Sequence, residues 1–125
     1  MNRKLLFSIY KYGDCFNYLK NFKNEDDAKQ YLIKNNLTNN YGIKRRVKTS
    51  KRYLNKIYNG LKSGFSYSDG FSGIRLHNNC IKYNHFGSSA QPNTIEGLNF
   101  ILEIIFNDVL DFEKKYKKGF GFVYA

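Results

Sequence analysis

The chain has no tryptophan, one proline and two cysteines among 125 residues, and it sets 10 acidic side chains against 21 lysines and arginines. A single proline, Pro92, excludes a proline-rich linker, and ten glycines without a triplet repeat exclude a collagen-like rod. Cys15 and Cys80 form no CxxC pair and are too few and too widely spaced for a structural zinc. They are expected as reduced thiols in a cytosol, one buried disulfide being the alternative. Long apolar runs are also missing. Runs such as Ile104-Ile105-Phe106 toward the C-terminus fall far short of the ~18 residues that span a bilayer. Met1 to Tyr10 has the outline of a secretory signal, but its apolar part is short, contains Ser8 and runs into Lys11 without a small-residue cleavage site. It reads as a strand.

What is present suits a folded domain. Apolar residues at 42% and charged residues at 25% exclude a disordered chain. The length argues for one domain over residues 1–125, burying roughly two thirds of its unfolded surface without a staple. Lys, Asn, Ile, Tyr and Phe supply 64 of the residues, and Lys outnumbers Arg 16 to 5. All five have A/T-rich codons, so the expected setting is the cytoplasm of a low-GC bacterium or of a phage-infected bacterial cell. Codon bias raises the mean charge, here +11, but does not decide where charge gathers. Between Asp27 and Asp69 there is no acidic residue, and ten lysines and arginines fall in that window. Such asymmetry draws polyanions, although a merely solvated basic face has the same composition.

Leu5–Tyr12 and Cys15–Phe22 read as a hairpin about Gly13-Asp14. Asn24 then caps a helix whose first turn, Glu25-Asp26-Asp27, complements the positive end of the helix dipole. Residues 37 to 48 read as a basic connecting loop or a short strand over Tyr41–Val47. Thr49 or Ser50 caps a second helix reaching about Leu61, with Leu54, Ile57, Tyr58 and Leu61 as its buried stripe. Lys48, Arg52 and Lys56 form a row on another of its faces, provided the first turn extends back to Lys48.

Residues 63 to 86 read as a three-strand meander turning at Asp69-Gly70 and Asn78-Asn79. Two-residue turns place Phe65 opposite Ile74, Tyr67 opposite Ser72, Ile74 opposite Tyr83 and Leu76 opposite Ile81, which gathers the apolar set on one side. The other side receives Phe71, Arg75, His77, Cys80, Lys82, Asn84 and Phe86, with Phe71 facing Phe86 and Arg75 facing Lys82. Facing cations cost ~0.2–1 kcal/mol unless an anion lies between them. Exposed rings beside cations on a sheet are a common way to hold single-stranded nucleic acid. A helix covering this face would instead make the Phe pair core. Next, Gly87 to Pro92 reads as a loop into a long helix, 94–116, begun by Asn93 with Glu96 and striped by Leu98, Ile101, Leu102, Ile105, Val109 and Phe112. That stripe serves a core or a homodimer interface. Phe120–Tyr124 reads as a closing strand.

The expected fold is therefore α+β in the order ββ-α-α-βββ-α-β, an antiparallel meander packed on a long C-terminal helix. Ser88, Ser89 and Thr94, leading into a helix N-terminus, are candidate phosphate contacts, but the P-loop lysine pattern is missing and NTP hydrolysis is not indicated. His77 and His85 point to opposite faces, and His85 is expected as a hydrogen-bonded structural histidine. His77 beside Asn78-Asn79 superficially resembles nuclease motifs, without the nearby carboxylate or second histidine they need. No enzyme, metal or cofactor is expected. The expectation is a basic binding protein for RNA or single-stranded DNA, or for a nucleotide, with Arg45, Arg46, Lys48, Arg52 and Lys56 on phosphates and Arg75, Lys82, Phe71 and Phe86 as a second surface. In composition the chain also resembles phage or mobile-element accessory proteins, which implies an alternative: inhibition of a host defence system by blocking the nucleic-acid groove of a nuclease, within a nucleic-acid-processing protein complex, or by sequestering a nucleotide signal.

Overall fold

Chain contacts divide the molecule into two units, residues 3–48 and the residues from Thr49 onward. The computed structural model describes residues 3–68, 72–116 and 123–124, with backbone alone at 15, 16, 112–116 and 123–124. The expected turn at Asp69-Gly70 and the side chains of Phe71 and Phe112 lie outside the described residues.

The first unit comprises β1 (Arg3–Lys11), β2 (Asp14–Phe22), α1 (Glu25–Lys34) and β3 (Tyr41–Thr49), its sheet ordered β2-β1-β3. The hairpin turns at Tyr12-Gly13, one residue earlier than the sequence suggests, with Lys11 opposite Asp14. Gly13, at φ +91°, takes the second turn position, where positive φ is needed. The Asn24 side chain accepts from the Asp27 backbone N–H at 2.8 Å and starts α1. Asn36, at φ +55°, ends the helix, with Leu37 N–H donating to Leu32 O at 2.9 Å. α1 packs on β1 and β2, burying Ala28 and Leu32 and setting the Tyr31 ring 5.5 Å from Phe22. The basic segment after α1 is a nine-residue strand, longer than expected, because β1 offers it a free edge: Tyr12 N–H donates to Asn40 O just before β3 begins.

In the second unit, α2 (Lys51–Lys62) is capped by Ser50, whose hydroxyl accepts from Tyr53 N–H at 3.3 Å. A sheet ordered β7-β6-β5-β4-β8 follows, from β4 (Tyr67–Ser68), β5 (Gly73–His77), β6 (Cys80–Asn84), β7 (Ser88–Pro92) and β8 (Val123–Tyr124). Between β7 and β8 runs α3 (Ile95–Tyr116). α3 packs on β6, β7 and α2, and its Leu98, Ile101, Leu102, Ile105, Phe106 and Val109 are buried. The expected α+β class is what folds, with two strands more than expected. No helix among the described residues is long and apolar enough to cross a membrane.

Asn78 and Asn79, at φ +50° and +62°, make the expected turn, and Ile74↔Tyr83, Arg75↔Lys82 and Leu76↔Ile81 pair as read from the sequence. Across β4 and β5 the pairing is displaced by two residues: Tyr67 faces Ile74, not Ser72, and Phe65 lies outside the strand. The end of α2 explains the displacement. Gly64, at φ +94°, donates to Leu61 O, and Phe65 N–H donates to Gly60 O at 2.9 Å, a Schellman cap that commits Phe65 to the helix terminus and leaves it 47% exposed. A slip of two residues keeps every side chain on its own face, so Tyr67, Ile74 and Ile81 are still buried together. The other correction is Ser88–Pro92, expected as a loop and found as an edge strand on β6, with Pro92 ending it.

Gly60, buried within α2, lies under Tyr67: a β-carbon there would stand 1.8 Å from the tyrosine hydroxyl oxygen. Gly60→Ala is therefore expected to lower stability by ~1 kcal/mol net, because displacing Tyr67 outweighs the gain in helix propensity. In the Tyr67→Phe background, which removes that oxygen, the cost should shrink; urea titration of the four proteins measures it.

Candidate functional site

The alternation of β4 to β7 gives the five-stranded sheet two different faces. Tyr67, Ile74, Ile81 and Tyr83 belong to the side that packs under the helices. The reverse side carries Ser68, Gly73, Asn84 and Ser88 in one cross-strand row, Arg75, Lys82 and Ala90 in the next, and His77, Cys80 and Pro92 in the third. Arg75, Asn84, Ser88 and Ala90 are exposed, and Lys82 is half-buried. Over the first two rows lies an open groove of about 660 Å³, lined by Arg75 and Lys82 with the polar side chains of Ser66, Ser68, Asn84 and Ser88.

Arg75 and Lys82 stand directly opposite each other on β5 and β6, and no ion pair joins either to a carboxylate among the described residues. Two cations held in register repel across the strands, and an anion seated between them removes that cost. Beside them Asn84 brings a side-chain amide, a group that can donate to phosphate oxygens. At one end of the groove, Ser88 Oγ donates to Asn84 Oδ1 at 2.8 Å, which ties the edge strand β7 to β6 and leaves the Asn84 amide N–H groups for a ligand.

The other basic residues do not share one setting. Strand alternation puts Arg46 and Lys48 on one face of β3 and Arg45 on the other. Arg46 lies 4.0 Å over the Tyr18 ring and reaches Ser8 Oγ at 3.5 Å, and both Arg45 and Arg46 are half-buried and engaged in the fold. Lys48 is exposed but sits in β3, so it does not extend the helical row. That row reduces to Arg52 and Lys56, exposed and one turn apart on α2. Ser88 and Ser89, expected beside a helix N-terminus, are strand residues on opposite faces of β7. Thr94 is the cap of α3, its hydroxyl accepting from Gly97 N–H at 2.9 Å, in place of the expected Asn93. Phe71 lies outside the described residues, while Phe86 is 80% exposed at the β6–β7 connection.

A second cluster forms on the helix side of the sheet. Ser72 Oγ lies 2.6 Å from His85 Nδ1, and His85 Nε2 lies 2.6 Å from Asp108 Oδ2. An ionised carboxylate can only accept, so Nε2 carries a hydrogen and, with the ring neutral, the Ser72 hydroxyl donates into Nδ1. The three residue types are those of a hydrolytic triad, with Ser72 2% exposed and the His85 side chain 6%. The cluster is a buried tie between the start of β5, the end of β6 and α3. His85 as a hydrogen-bonded histidine is legible in the sequence. Its partners are not, since Ser72 and Asp108 are 13 and 23 residues away.

Compared with known proteins, the chain matches no family model, no curated protein and no solved structure.

Proposed function

We propose that this chain is a non-enzymatic binding protein for a phosphate-rich ligand, RNA or single-stranded DNA, which it holds in the groove on the open face of the five-stranded sheet. The observation that carries this reading is the facing pair Arg75 and Lys82, without a carboxylate partner among the described residues and surrounded by hydroxyl and amide groups. A net charge of +11 supplies the long-range attraction that brings a polyanion to it. Lys48, Arg52 and Lys56 are exposed and add to that attraction.

The test is fluorescence anisotropy with a labelled single strand of about 12 nucleotides, titrated between about 50 and 200 mM salt. Affinity should fall steeply with salt. The Arg75→Ala/Lys82→Ala double variant should bind at least about tenfold more weakly at low salt, and its salt slope should flatten by about 1.4, the contribution of two phosphate contacts on a single strand. A salt-independent affinity, or a double variant that binds as the parent does, overturns the reading.

A further inference from the structure

Phe86 is the most exposed large apolar side chain among the described residues, and its backbone sits at φ +55°, a region that L-residues other than glycine, asparagine and aspartate rarely occupy. Gly87, next to it, has a positive φ of its own, +148°, so the connection needs that conformation at two successive positions and only one of them is a glycine. Neither burial nor turn chemistry accounts for an aromatic ring held there. The ring has a defined neighbour: His85 lies 4.8 Å from it in an edge-type contact, and His85 is itself tied on both nitrogens by Ser72 and Asp108. His85 N–H donates to Gly87 O at 2.8 Å, which closes the three-residue connection beneath the ring. The ring therefore stands 80% exposed where the chain turns from Asn84 to Ser88, at the end of the sheet and on the flank that carries His85.

We propose that Phe86 is a base-stacking platform, and that the strand held at Arg75 and Lys82 lays an unpaired base on it; this rests on the function proposed above. Lys82 and Phe86 are four positions apart, no more than ~13 Å at the rise of a strand, a distance that a short piece of one strand covers. Bases paired in a duplex keep their faces against one another, so the inference names the ligand as single-stranded. Ser72, His85 and Asp108 then act as positioning residues for the ring.

The experiment compares the parent, Phe86→Ala and Phe86→Trp on three probes: a labelled oligothymidylate, a duplex of the same length, and inorganic polyphosphate, which has charge but no bases. Phe86→Ala should lose roughly 5- to 30-fold on oligothymidylate and nothing on polyphosphate. Phe86→Trp should retain affinity, and its indole fluorescence should be quenched by oligothymidylate and not by polyphosphate. Equal losses on both single-stranded probes, no loss on either, or a duplex bound as tightly as the single strand would overturn the proposal. If the parent binds neither oligothymidylate nor polyphosphate, the phosphate-binding reading itself fails; if it binds both and Phe86→Ala is silent, only the stacking inference fails.

Discussion

Gly97→Ala should destabilise the unit that follows residue 48 by about 2–3 kcal/mol, although alanine is the better helix former by ~1 kcal/mol. Gly97 is buried in the first turn of α3, and a β-carbon built there stands 2.3 Å from the Pro92 carbonyl oxygen. At Gly60 the obstacle is the far end of a side chain; at Gly97 it is backbone. That carbonyl accepts from Thr94 N–H at 2.8 Å, and Pro92 is the last paired residue of β7, opposite Cys80. Moving it out of the way strains the connection into α3 and loosens the edge of the sheet together. The Thr94 hydroxyl, 3.2 Å from the same point, is a lesser obstacle. Thr94→Ala alone should cost ~1 kcal/mol through the lost cap, and it should not rescue Gly97→Ala. Urea unfolding followed by circular dichroism measures all four proteins. An alanine variant as stable as the parent, or more stable, would show that helix propensity outweighs the close approach.

What could be read from the residues, and what could not, divides along the range of the interactions. Asn24 and Ser50 cap their helices through hydrogen bonds three residues long, so their side chains announce them. Asn78 and Asn79 both take positive φ, and that one turn sets the register that puts Arg75 opposite Lys82. The heart of the candidate site was therefore legible from local chemistry and a period of two. β7 was not, because Ser88, Ser89 and Ala90 carry little strand preference and are held extended by pairing with β6. The displacement between β4 and β5 arose from competition: Phe65 serves the cap of α2, and the helix end took it from the strand. The basic window between Asp27 and Asp69 failed in another way. Charge counted along a sequence ignores that a strand alternates its faces, so Arg45 and Arg46 point apart although they are neighbours. Arg46 spends its guanidinium on the Tyr18 ring, a contact no spacing rule would suggest.

His85→Ala carries the other large effect, a loss of about 2–3 kcal/mol. The substitution removes a ring whose side chain is 6% exposed and both of its 2.6 Å hydrogen bonds. Asp108, with a side chain 42% exposed, regains water, so most of the cost falls on the cavity and on the lost contacts of the buried ring. Asp108→Asn should therefore be mild, ~1 kcal/mol or less, since an amide oxygen still accepts from Nε2. Ser72→Ala should cost ~1 kcal/mol, and combined with His85→Ala it should add much less than its separate cost, because the two remove the same bond. Binding separates this tie from ordinary core packing. If His85 steadies Phe86, then His85→Ala, assayed where it remains folded, should lose oligothymidylate affinity about as much as Phe86→Ala does, and the double variant should lose no more than either. Additive losses would mean that the histidine holds the fold together without holding the ring.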